Sequence, residues 1–518
     1  MVSLTGESLT IEQVDAVARR GEEVDGLDAE VVSRLRASRS WVDRALAEDA
    51  APVYGVTTGF GPLAQVRIAP DQTRQLSRNL VLSSVSGVGP PLGEDIVRAM
   101  MLIRVNTFAK GFSGVRLELA DTLRDMLNKG VTPYVPAKGS LGASGDLAPL
   151  ASIAAVLSKG EHPDDEDYSG QAWYQGELVS GRQAMDRAGI PRLVLEAKEG
   201  LGLTNGTNFM VAVAALGLRD AQRLLRHAEI AAAMTFEALL GLTAALDVRL
   251  QQANGQPGQI QTAKNLRRLL AGSQLVDTMP ERVQDAYSLR CTPQVVGPVR
   301  DMLTFLEQRV TDALNAATDN PLLFGEGEVV SGGNFHGQGP ALWLDTLSIS
   351  IAQLGTISER RVFRMTSPEL SEGLPSMLVE TSGLDSGLMM PQYTAAALVS
   401  DNKTLAHPDS VDTIPSSANQ EDHVSMGANA ARHAMEILEN VRQVIAIELL
   451  TAAQAIDLRP DGPTRIGKGT SAAYREIRKR VSRLDHDRAM SPDMEALAQL
   501  IASDTVIEAV EQAIGGEL

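Results

Sequence analysis

The chain has 518 residues, enough for two or three domains' worth of core. Hydrophobic residues make up 44% but aromatics only 4%, so the interior must be built from Ala, Leu, Val and Ile, which points to packed helices. A net charge of −18 argues against a nucleic-acid binder, which needs clustered Lys and Arg for the phosphates, and the single cysteine, Cys291, excludes an internal disulfide framework and fits a reducing cytoplasm.

At the N-terminus, Met1 to Glu7 shows no basic region followed by an apolar run, so no signal peptide is expected. Thr10-Ile11-Glu12-Gln13 spells a capping box for a helix that stops near Gly21. Helices are expected over 29–46, 76–85, 93–108 and 114–128, with a glycine- and threonine-rich loop over 53–62. Asp146 opens a helix through Leu157, and 159–181 is an acidic, glycine-punctuated surface excursion with a short hairpin around Trp173-Tyr174. Beyond Asn205 long helical patterns dominate: 208–246, 297–318, 341–365, 388–405, 425–456 and 470–483. Helices of this length pack as a bundle. The reading is therefore mainly α, with an N-terminal domain over 1–200 and a long-helix bundle over 201–518. The apolar stretch 209–246 carries Arg219, Asp220, Arg223, Arg226 and Glu229, so it reads as a half-buried helix and no membrane span is expected.

The most informative stretch runs from Gly139 to Ala151, with Ala143-Ser144-Gly145 at its centre. Glycine at 145 and a small residue at 143 permit a tight turn, one that its surroundings must hold. The helix start that follows presents unpaired N–H groups and partial positive charge, which favours negative charge developing at the loop.

Five further islands carry chemistry. Tyr54 lies in Val53-Tyr54-Gly55-Val56-Thr57-Thr58-Gly59-Phe60-Gly61; a phenol is a poor base at neutral pH unless helix dipoles or cations act on it. Asn205 precedes Gly206 in a segment that also reads as a helix cap. Tyr287, Arg290 and Gln294 share one element, and Arg290 can hold a carboxylate through two parallel hydrogen bonds or form an internal ion pair. Asn334 and Phe335 sit in Ser331-Gly332-Gly333-Asn334-Phe335-His336-Gly337, and Gln420 and Glu421 in Ser417-Ala418-Asn419-Gln420-Glu421-Asp422-His423.

Together these islands resemble the histidine/phenylalanine/tyrosine ammonia-lyase family, in order and over nearly the whole chain. The resemblance implies a fumarase/aspartase-like helical fold and a methylidene-imidazolone formed autocatalytically from Ala143-Ser144-Gly145, an electrophile no ordinary side chain provides. It implies that Tyr54 removes the substrate β-proton, Asn205 and Tyr287 orient ring and substrate, and Arg290 holds the carboxylate, with Gln294 and Asn334 beside it. Phe335 would pack on the ring, and Gln420 and Glu421 would face the substrate side chain and amine. It also implies a cytoplasmic homotetramer with shared active sites, binding an amino acid and needing neither metal nor nucleotide. Covalent catalysis of this kind splits one hard elimination into easier steps.

Two other signals are dismissed. Gly462 to Gly469 nearly spells a P-loop, but Gly469 stands where Ser or Thr must reach the magnesium, and no strand precedes it. The seven histidines show no metal-ligand spacing.

The substrate is less legible. Relatives differ at a two-residue site, Ser-His in histidine lyases, His-Leu in tyrosine lyases and Phe-Leu in phenylalanine lyases; here it is Ser83-Ser84. Ser83 and Glu421 agree with the histidine type, whereas Ser84 and Gly202 widen the pocket. A polar aromatic side chain fits (imidazole, phenol or catechol), and a plain phenyl ring fits less well beside a buried glutamate. A 2,3-aminomutase using the same prosthetic group, a non-catalytic helical scaffold, and an unrelated helical lyase without self-processing are the competing readings.

Overall fold

The capping box spelled at Thr10 forms: its hydroxyl accepts from Gln13 N–H at 3.2 Å while Gln13 Oε1 accepts from Thr10 N–H at 3.0 Å. The helix Ile11–Arg20 ends on Gly21 in the left-handed region, φ 68°. This computed structural model describes residues 1–47, 52–162, 167–325 and 328–518, and the chain is mainly α.

Contacts divide it into two compact units. One comprises Met1–Arg219, Glu307–Asp345 and Pro408–Arg432; the other comprises Asp220–Leu306, Thr346–His407 and His433–Leu518. In the first unit the helix Glu94–Ala109 is buried from Ile96 to Ala109 except at Arg98. Its apolar residues run all round the helix, as burial on every side requires. It packs against Ile11–Arg20, Ala29–Ala47 and Leu117–Lys129. Small sheets complete the unit. Gln171–Tyr174 and Glu177–Ser180 form the hairpin expected within the acidic excursion. Its two-residue turn, Gln175 and Gly176, has φ 52° and 81°, the double positive φ that matches strand twist in tight hairpins. Residues 163–166 of the excursion lie outside the described residues.

The second unit contains the bundle. Val362, Ala395, Val444 and Ile447 form one apolar cluster across the helices Gln338–Thr366, Met389–Leu405 and Gly427–Asp457. The helix expected over 208–246 stops at Ala238: Leu240 turns left-handed at φ 53°, Gly241 N–H closes on Phe236 O at 2.7 Å, and only a 3-10 turn, Thr243–Leu246, follows. The helix expected over 297–318 runs Thr292–Leu314 instead, because Pro293 suits a first helical turn, where its missing N–H costs nothing. The last expected helix is Lys468–Arg478, and Val248–Asn254, Pro257–Leu269, Ser491–Ala502 and Thr505–Ile514 are helices the pattern reading left out. At the near-P-loop, Gly467 N–H donates to Glu237 Oε1 at 2.5 Å. Burial pushes that carboxyl up to about 7. A side-chain acid thus already occupies the amide a phosphate would need.

Among the described residues no helix is long and apolar enough to cross a membrane, and no group of His, Cys, Asp or Glu could hold a metal ion.

One buried carboxylate ties three bundle helices together. Glu448 accepts from Arg361 Nε at 2.5 Å and Nη2 at 2.8 Å, from Thr235 Oγ1 at 2.8 Å and from Ser358 Oγ at 2.6 Å. Both Glu448 and Arg361 side chains are fully inaccessible. Removing one partner leaves an uncompensated buried charge. Glu448→Ala is expected to lower unfolding free energy by about 3–5 kcal/mol in a denaturant titration, whereas pairing Arg361→Met with Glu448→Met recovers a substantial part; equal losses in single and double variants would contradict this account.

Candidate active site

The loop 139–146 is held by hydrogen bonds on several sides. Its core contact is backbone to backbone: Asp146 N–H donates to Gly206 O at 2.7 Å, and Gly145 and Gly206 form a parallel bridge. Gly145 has φ 72°, and a Cβ there would stand 2.2 Å from Gly206 O, so glycine is required. Gly142, φ 69°, is held as tightly, since a Cβ would meet Ser425 Oγ at 2.2 Å. The carbonyl of Gly142 accepts from Gly337 N–H at 3.1 Å and Ser425 Oγ at 3.0 Å, and Leu141 O accepts from Met426 N–H at 2.9 Å.

The side chain of Asp146 does not cap its own helix, Leu147–Leu157. Instead its Oδ2 accepts from Phe209 N–H at 2.9 Å and Met210 N–H at 3.1 Å, at the start of Asn208–Ala238, where N–H groups lack helical partners. Burial pushes its carboxyl up to about 7, against the pull of those two amides, Ser140 and Arg104. Arg104, itself lowered to about 10 by burial, donates from Nη1 to Gly202 O at 3.0 Å and Asn205 O at 2.9 Å, and from Nη2 to Asn208 Oδ1. It thus fixes the 202–208 backbone from below.

Seven of the residues singled out in the sequence line one cavity of about 660 Å³: Tyr54, Ala143, Ser144, Asn205, Phe335, Gln420 and Glu421. Asn205 Nδ2 donates to Ser144 O at 3.0 Å, and Ser144 Oγ donates to Glu421 Oε1 at 2.6 Å. Tyr54 stands edge-on to Phe60, ring centroids 6.4 Å apart. Its oxygen accepts from Gly61 N–H at 3.2 Å, which leaves the phenolic hydrogen free. Gly145 is buried just behind the cavity wall. A ring made from 143–145 fits these surroundings: the residues are small, the turn admits only glycine at 145, and buried Asn205 keeps one oxygen, Oδ1, without a hydrogen-bond partner beside it.

The remaining candidates lie elsewhere. Ser83 and Ser84 end the helix Thr73–Ser84, which meets the cavity through Leu80. Asn334 Nδ2 donates to Ala317 O at 3.2 Å. Tyr287, Arg290 and Gln294 belong to the second unit; the Arg290 guanidinium lies 4.6 Å over the Tyr287 ring, and its buried Nε has no hydrogen-bond partner. Tyr287 is 70% exposed.

Among the lining or supporting residues that escaped the sequence reading, four shape the site through defined contacts. His336 and His423 stack at 5.6 Å on the cavity wall. His336 Nε2 must donate to His423 O at 3.0 Å, so its Nδ1 is the acceptor for Gln338 N–H at 3.3 Å. Arg104 was findable as a cation within an otherwise apolar stretch of helix; Ser416, whose hydroxyl holds Glu421 Oε2 at 2.9 Å, carries no such signal.

This geometry brings an Ala-Ser-Gly turn, held by close glycine contacts, together with a tyrosine, an asparagine and a glutamate at one cavity. The family pattern described as aromatic amino acid lyase matches residues 9–479. The chain belongs to that family and is a carbon–nitrogen lyase of the ammonia-releasing class. It is 50% identical over 513 residues to the histidine ammonia-lyase of Treponema denticola, covering 99% of both chains. Among solved structures it resembles the histidine ammonia-lyase of Trypanosoma cruzi, with 38% identity, a TM-score of 0.89, and 99% and 95% of the two chains covered. It also resembles the tyrosine aminomutase of Streptomyces globisporus, with 37% identity, a TM-score of 0.92, and 99% and 98% covered.

The raised Asp146 carboxyl has a pH signature. A carboxyl whose folded pKa lies above its unfolded value binds its proton more tightly when folded, so this contribution is complete below the ordinary 3.8 and is lost as pH rises through about 7. Asp146→Asn keeps an acceptor for both amides and removes the titration. Its melting curves should therefore lose less stability between these two values than the parent's, by at most about 1.4 kcal/mol per pH unit; an identical slope would count against the assignment.

Proposed function

We propose that the chain eliminates ammonia from L-histidine, yielding the trans-α,β-unsaturated acid, with a methylidene-imidazolone formed from Ala143-Ser144-Gly145. The observation that carries this reading is the meeting of Tyr54, Ser144, Asn205, Phe335 and Glu421 at one cavity. The histidine preference draws on the relatives of that name, on Ser83, and on Glu421 as partner for an imidazole.

When present, the prosthetic group supplies an electrophilic methylene that turns the substrate amine into a leaving group. The chain's own residues do the rest. Tyr54 removes the β-proton through its deprotonated oxygen, on which the donated Gly61 N–H would stabilise negative charge. Asn205 Nδ2 sits on the carbonyl oxygen of Ser144, where negative charge collects. Phe335 forms an apolar wall, and Glu421, with Gln420, holds the side chain and amine. Tyr287, Arg290 and Gln294 enter through the homotetramer the resemblance implies, in which copies share active sites; the unpartnered Nε of Arg290 suits a carboxylate, with Asn334 beside it. A cytoplasmic setting belongs to the same reading.

A second reading is a 2,3-aminomutase, which returns the amine to the β-carbon; the likeness to the Streptomyces globisporus enzyme favours it. One assay separates the two. Histidine, tyrosine, dihydroxyphenylalanine and phenylalanine are offered in turn, and ammonia, unsaturated acid and β-amino acid are measured. Ammonia and unsaturated acid from histidine are expected. A β-amino acid would establish the mutase, and no product from any of the four would overturn both. Tyr54→Phe should lower turnover by about 100- to 10,000-fold, the range for a lost general base; a wild-type rate would remove Tyr54 from the mechanism.

A further inference from the structure

We propose that Glu421 has a second task, before any substrate arrives: it carries the proton for loss of the Ser144 hydroxyl as residues 143–145 condense. This rests on the reading that the ring forms. The juxtaposition is direct. Ser144 Oγ donates to Glu421 Oε1 at 2.6 Å, and the other carboxylate oxygen accepts from Ser416 Oγ at 2.9 Å. The backbone closes the same turn, Ser416 N–H to Glu421 O at 2.9 Å and Glu421 N–H to Ser416 O at 3.3 Å.

Between those two residues the chain is strained. Ser417, Ala418 and Asn419 all adopt positive φ, 50°, 52° and 69°, a region that side chains with a Cβ disfavour. Such strain survives only where surrounding contacts impose it, and it gathers at functional sites. Its effect here is positional, since it delivers one carboxylate oxygen onto the one hydroxyl that must leave. On the other side Asn205 Nδ2 holds Ser144 O at 3.0 Å. Hydroxyl and carbonyl of the same residue are thus gripped by a proton acceptor and a proton donor.

The step balances. Gly145 N bonds to the carbonyl carbon of Ala143, and that carbonyl oxygen leaves as the first water with the hydrogens of the Gly145 and Ser144 nitrogens. The Cα–H of Ser144 then lies between the ring carbonyl and the nitrogen of the new C=N bond, both electron-withdrawing. Glu421 takes this proton while the carbonyl oxygen held by Asn205 receives the charge. The electron pair becomes the Cα–Cβ double bond, the Cβ–Oγ bond breaks, and the departing hydroxyl takes the proton back from Glu421 as the second water. Cα is two bonds from Oγ, so one carboxylate serves both ends, and it finishes ionised as it began.

The test follows ring formation rather than turnover. Full-length parent, Glu421→Gln and Ser416→Ala are purified at successive times after synthesis. Each is examined by intact-mass spectrometry, near-ultraviolet absorbance and helical circular dichroism. The parent should be lighter by two waters. Glu421→Gln, folded to the same helical signal, should accumulate a species lighter by one water, with the second loss slowed about 100-fold or more. Ser416→Ala, which frees the carboxylate without removing it, should show the same species to a smaller degree. The proposal is overturned if Glu421→Gln loses both waters at the parent's rate, or if it stalls before losing any. Should Glu421→Gln lose its helical signal, Ser416→Ala decides by the same outcomes. A parent of full polypeptide mass would instead sink the ring itself, and with it the reading above.

Discussion

The site depends on one short backbone contact. Asp146 N–H on Gly206 O joins two turns that lie sixty residues apart in sequence, and the Asp146 carboxylate fastens the same junction by receiving the first amides of a long helix. Everything reactive is referenced to this seam. Ser144 stands two residues from one side of it, and Asn205 directly precedes Gly206 on the other. No side-chain contact could hold the two so close, because any Cβ at position 145 would collide with the partner carbonyl. Two glycines and a buried acid therefore set a geometry that bulkier residues would forbid.

Much of this was open to reading from the sequence, and the reason is local. A capping box, an apolar helix and a Gly-bounded Ala-Ser-Gly turn each constrain their own backbone, so Thr10, the 94–109 helix and residues 143–145 are found where the pattern puts them. What escaped is non-local. Asp146 reads as the cap of the helix it precedes, yet its carboxylate serves a helix starting at 208. Leu240 ends a helix by turning left-handed, which nothing in a leucine announces. Ser416 is one serine among many until the loop beyond it doubles back to bring Glu421 beside it.

The substrate pocket shows the same division. The polar wall of Glu421, His336 and His423 is present, while the helix bearing Ser83 and Ser84 reaches the cavity one turn earlier, at Leu80. On the proposed reading, the short polar Ser84 leaves side-chain recognition more heavily to the wall formed by the Glu421 loop. The His336–His423 pair is well suited to this. His336 has both nitrogens committed and acts as a fixed prop, and the ring of His423 rests on it.

The clasp on the 139–146 loop also bears on the order of events during synthesis. Three of its hydrogen bonds come from Gly337, Ser425 and Met426, and the acid facing Ser144 is residue 421. An unfinished polypeptide that has not yet passed residue 426 lacks the far jaw of this vice. Under the proposed ring closure, residues 143–145 therefore stay ordinary peptide on the ribosome, and the timing of closure is set by how far apart their neighbours lie along the message.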